Sequence, residues 1–156
     1  MTKEDLIISA GKLCTPKTGV ASEYTTKHEA LSAKINQIML NRDDLDSLIG
    51  SSNKEMMQDN HRNHARFFVS LFAAYDPEVL VETVLWVFRA YRSHGFQLSY
   101  WPAQLDTWVE VLKSHLSPEA YDEIYPFYHW MITNQPAFSL LSDKSLSESE
   151  TTTPAH

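Results

Sequence analysis

Four glycines and a single cysteine in 156 residues exclude several classes of protein. With so few glycines no GxGxxG or GxxxxGK[ST] loop can be written, so no phosphate cradle of that kind exists. The same scarcity argues against a sheet-rich fold with many tight turns. Cys14, being alone, can form no internal disulfide, which suits a reducing cytoplasm. Basic residues are also few: 13 Lys and Arg against 20 Asp and Glu give a net charge of −7. That balance repels phosphate backbones, and Arg62, Arg66, Arg89 and Arg92 lie among apolar residues instead of forming a basic run. Nucleic acid is therefore not an expected partner. No stretch approaches the roughly 18 apolar residues of a membrane span. Charge interrupts the apolar residues between Met1 and Cys14, unlike a signal-peptide core. The expectation is a cytoplasmic chain without membrane contact.

What is present is enough to build a core. Hydrophobic residues make up 43% of the chain and aromatics 12%, which excludes intrinsic disorder over its length. Punctuation divides the chain into about seven helical segments. A first helix is expected at about 3–13, a loop over 15–22 and a second helix at about 25–41. Asp43 or Asp44 can open a short helix that stops at Gly50, and Asn53 can cap a long one over about 54–75. Asp76-Pro77-Glu78 is a start signal, because Asp accepts from free N–H groups and Pro suits the first helical position. That helix should end at Gly95, another should run from Pro102 to about Leu116, and Ser117-Pro118-Glu119 repeats the start signal. Pro126 predicts a kink in the last helix. Residues 1–138 thus read as one all-α domain, globin-like or an irregular bundle. Residues 139–156, rich in Ser, Thr and acid, read as a disordered tail. The segment 77–94 is apolar nearly all round, which predicts that it is the buried central helix.

The candidate binding residues follow from helical geometry. His61, His64 and Phe68 fall on the apolar side of their helix, with both imidazoles aimed at the expected core. They can be hydrogen-bonded structural residues, contacts to a planar or acidic ligand, or members of a metal site needing further ligands. No HExxH or paired ExxH accompanies them. His94, before Gly95, is either a cation at a helix C-terminus or, with His64 across a pocket, an axial ligand for haem or another tetrapyrrole. Tyr121, Tyr125 and Tyr128 share a face and can line a cavity or bond the inward histidines. Trp101 and Trp130 are expected at the surface as interface anchors. No nucleophile with a neighbouring base is evident.

DPEVLVETVLWVFRAYRSHGF followed by WPAQLDTWVEVLKSHLSPEAYDEI, within residues 60–134, resembles the helical sensor domains of bacterial regulators. These are the globin-like non-haem domains of stress-response regulators and similar helical domains beside cobalamin-binding modules. The shared pattern is a helix opened by DPE, an apolar centre containing tryptophan, a Gly stop, and two helices joined by LSPE. The resemblance implies a non-catalytic regulatory or sensory protein that binds a partner protein, a second copy of itself or a small ligand. It assigns no site residue. The alternatives are a haem- or tetrapyrrole-binding protein using His64 and His94, and a metal-dependent enzyme around His61 and His64.

Overall fold

Two of the helix starts fall where proline follows a short acceptor. The computed structural model describes residues 1–151, with side chains to residue 143. It contains α1 (Lys3–Ala10), α2 (Thr18–Leu40), α3 (Leu45–Ile49), α4 (Lys54–Ala73), α5 (Pro77–Ser93), α6 (Tyr100–His115), α7 (Pro118–Thr133) and α8 (Gln135–Thr151). The fold is an all-α single domain, with no strand among the described residues. Asp76 accepts from the Glu78 amide before α5, and Ser117 from the Ala120 amide before α7. Each satisfies an N–H that the helix cannot pair internally. Gly50 and Gly95 take φ of 87° and 98° just beyond α3 and α5, a region costly for any side chain. Asn53 precedes α4 but does not cap it. Its Nδ2 donates to the carbonyls of Ile49 (2.7 Å) and His94 (2.8 Å), tying the ends of α3 and α5 together. α7 continues through Pro126 without a break.

Two boundaries differ most from the expectation, besides α1 stopping at Ala10 and α6 starting at Tyr100, ahead of Pro102. α2 begins at Thr18, inside the stretch expected to be a loop, where Val20 and Tyr24 are buried and the Lys17 amide donates to the Glu123 carboxylate of α7 at 2.9 Å. Residues 139–143, expected to start a disordered tail, lie in α8. Phe138 is fully buried, Ser142 is buried, and Asp143 pairs with Arg92 of α5, so contact with α5 orders a polar sequence. Residues 152–156 of the expected tail lie outside the described residues.

The central helix is α2, not the segment 77–94. α2 packs on α4, α6 and α7, burying Tyr24, Leu31, Ile35 and Met39. Its carboxylate Glu23 accepts from both the amide and the hydroxyl of Ser117 at 2.7 Å, and Lys27 donates to the His115 carbonyl, also at 2.7 Å. These bonds clamp the α6–α7 joint and hold the Glu23 carboxyl below its ordinary pKa, chiefly through the Ser117 bonds. α5 lies instead between α1 and α8. It fully or nearly buries only Leu80, Val81 and Phe88, while Val79 and Trp86 are exposed. Trp101 and Trp130, expected at the surface, are buried; the Trp130 indole donates to the Ser9 hydroxyl at 2.9 Å. No helix among the described residues is long and apolar enough to cross a membrane.

Candidate functional site: a half-open cavity beside His64

Val84, Trp86 and Val87, apolar residues that α5 does not bury, line a cavity of about 310 Å³. α5 contributes Thr83, Val84, Trp86, Val87, Phe88 and Tyr91. Opposite stand Asn60, Asn63, His64, Phe67 and Phe68 of α4, with Trp101, Gln104 and Leu105 of α6. Met131 and Phe138 complete the wall. The continuous apolarity of α5 therefore reflects one face in the core and another on a cavity. A mainly apolar, part-enclosed space with a few polar groups is the usual form of a small-molecule site.

His61 and His64 both enter the interior but meet different surroundings. His61 is fully buried and closed. Its Nδ1 lies 2.6 Å from Asn36 Oδ1 and its Nε2 2.9 Å from the Tyr100 hydroxyl, which also bonds Asn60 Oδ1 at 2.8 Å. His64 is half-buried. Its ring stacks on Trp108 at 4.3 Å and 18°, and packs against Phe68 at 4.8 Å. Nε2 lies 2.8 Å from the Tyr128 hydroxyl, which lies 3.1 Å from that of Tyr24. Tyr24 and Tyr128 are fully buried. Nδ1 of His64 has no hydrogen-bond partner among the described residues, and it is not among the buried atoms left unpaired. Its accessible edge is thus part of the cavity wall.

Burial controls the protonation of this region. Desolvation lowers both histidines from the usual 6.5 to about 3, with Arg62 adding to the effect at His61 and His61 at His64. Both imidazoles are neutral at pH 7. Desolvation raises Tyr24 and Tyr128, so both phenols keep their protons. Burial also raises Tyr91, opposed by the nearby amides of Asn60 and Asn63.

Three of the expected site residues do converge, since His64 and Phe68 line the cavity and Tyr128 holds His64 from behind. The others do not. His61 faces Asn36 and Tyr100. His94 is exposed after the last turn of α5 and outside the cavity, so it cannot face His64 across it. Tyr125 is half-buried in an outer ladder with Tyr121 (5.5 Å) and His129 (5.8 Å). The inward direction of α7 runs through Ile124 and Met131, which takes in Tyr128 at its edge and leaves Tyr125 outside. With both His61 nitrogens bonded inside the protein, His61 and His64 do not present a pair of free metal ligands. No three His, Cys, Asp or Glu side chains converge as metal ligands among the described residues. Sequence reasoning missed Gln104 and Tyr91, polar groups inside largely apolar helical patterns, and Asn60, which lies in the polar run from Gln58 to His64. Comparison with protein-family models, curated proteins and solved structures found no match.

Proposed function

We propose that this chain is a non-catalytic sensory or regulatory helical protein whose small ligand enters the cavity between α4, α5 and α6. The observation that carries this reading is the accessible Nδ1 of His64 in an aromatic-walled space of about 310 Å³. Around it the polar groups are amides, the hydroxyls of Thr83 and Tyr91 and a neutral imidazole, an arrangement suited to orienting a ligand. The resemblance of residues 60–134 to globin-like sensor domains supports the same reading. Trp86 is 58% exposed and also lines the cavity, so it offers a route from occupancy to surface. A second copy of the chain or another protein reads that surface in this proposal. The tetrapyrrole alternative loses its second ligand with His94 outside the cavity.

Titration with prodan, a neutral naphthalene dye whose emission shifts in apolar surroundings, tests the reading. Saturable binding is expected in the natural protein and should be lost in Val87→Trp, which fills the cavity from α5. Prodan binding unaffected by that substitution in a folded variant removes the cavity from the proposal.

A further inference from the structure

The hydrogen atoms of the Tyr24–Tyr128–His64 chain can be arranged in few ways, and only one leaves no buried donor unpaired. Tyr24 has one hydroxyl hydrogen and one partner, the Tyr128 hydroxyl. Tyr128 has one hydrogen and two neighbours, Tyr24 and His64 Nε2. If Nε2 carried the imidazole proton and donated to Tyr128, one phenol hydrogen would have no acceptor in a fully buried site. If Tyr24 donates to Tyr128 and Tyr128 donates to Nε2, every hydrogen is used. A neutral His64 then carries its proton on Nδ1, the nitrogen on the accessible edge.

We infer that the cavity presents the Nδ1–H of His64 as a fixed hydrogen-bond donor and thereby selects flat, uncharged aromatic ligands whose edge carries an acceptor, a ring nitrogen or carbonyl. This rests on the cavity being a ligand site. Flatness follows from the walls, where Phe67, Phe68, Trp86, Phe88 and Trp101 supply ring faces and edges. Size follows from the volume: a cavity of about 150 Å³ holds benzene, so one of about 310 Å³ suits two or three fused rings. An acceptor on such a ligand replaces a lost water contact with the waiting N–H, whereas a donor there meets another donor.

Quinoline and indole test the selection, because both are neutral bicyclic aromatics and differ in having an edge acceptor or an edge donor. The His64 tautomer is read first, from multiple-bond proton–nitrogen NMR of the free protein, with the resonance assigned by its loss in His64→Gln. The expected result is Nδ1–H. Calorimetric titration should then give quinoline a preference over indole of about 5-fold or more, the worth of one hydrogen bond. Tyr24→Phe should keep that preference, since Tyr128 still donates to Nε2. Tyr128→Phe should reduce it to within about 2-fold, as should His64→Phe if Tyr128→Phe does not fold. An Nε2–H tautomer overturns the inference, and so does an indole preference beside an Nδ1–H tautomer. If neither compound binds, prodan distinguishes the two ideas: bound prodan overturns the selection alone, and unbound prodan overturns the cavity reading together with it.

Discussion

His61 and His64 stand one turn apart on α4, are both lowered to a pKa of about 3 by burial, and yet belong to different kinds of site. At His61 every ring nitrogen is met by the protein itself, through Asn36 of α2 and Tyr100 of α6. At His64 one nitrogen is met and the other is open beside a cavity. The difference comes from what packs opposite. α2, the central helix, covers His61 with a buried amide. α5, at the periphery, stands off from His64 and leaves space. A buried histidine with both nitrogens satisfied cross-links a fold, while one with a free nitrogen can respond to something outside the chain.

The largest effect should come from pH, where the two sites act alike. Folding favours the neutral form of each histidine, so their contribution is complete above the unfolded pKa near 6.5 and is lost as pH falls towards about 3. At pH 4.5, about two units into that window, the pair should cost about 5 kcal/mol, similar to the whole stability of many domains. Urea denaturation at pH 7 and 4.5 measures this loss. His64→Gln should remove about half of the histidine part of the slope, and an unchanged slope would mean that His64 is protonated as easily in the folded state as in the unfolded one.

Substitution should then separate the two sites. His61→Phe leaves the buried Asn36 amide oxygen without its donor and removes the ring nitrogen beside the Tyr100 hydroxyl, which still donates to Asn60 Oδ1, and should cost about 2–3 kcal/mol. His64→Phe keeps the ring stacked on Trp108 and deprives only the Tyr128 hydroxyl of its acceptor. It should cost about 1–2 kcal/mol while abolishing the quinoline preference. Equal costs, measured by chemical denaturation, would erase the distinction between closed and open. The smallest effect belongs to Trp86→Ala, which should change stability by less than about 0.5 kcal/mol because the indole is 58% exposed. It should nevertheless alter prodan emission, and a large stability loss with unchanged emission would place Trp86 in the core instead of at the cavity mouth.

The all-α class and most helix starts were legible because capping and proline signals act over four residues. Asp76-Pro77 and Ser117-Pro118 work through bonds to amides two or three positions on, whatever the rest of the chain does. The inward orientation of His61, His64 and Phe68 was legible for the same reason, since helical periodicity is local. The central helix was not. α5 is the more apolar helix, but a cavity wall and a core face look identical in sequence. α2 carries Ser32 and Asn36 in its buried face, where polar residues read as surface until their partners are known. Residues 139–143 read as the start of a tail for a similar reason, because Ser142 and Asp143 gain their contacts from α5, far away in the chain.

By itself the sequence determined that this chain forms helices, where most of them begin, and that two imidazoles turn inward on α4. Those features depend on backbone amides and side-chain directions within a turn or two, which neighbouring residues set. Tertiary structure decided which helix is central, which tryptophan is exposed, and that His94 and Tyr125 stand apart from His64. It also decided that Tyr24 meets Tyr128 across 104 residues to hold His64 Nε2. Those outcomes depend on which faces meet after collapse, and residues distant in the chain acquire common hydrogen bonds only once the helices have packed.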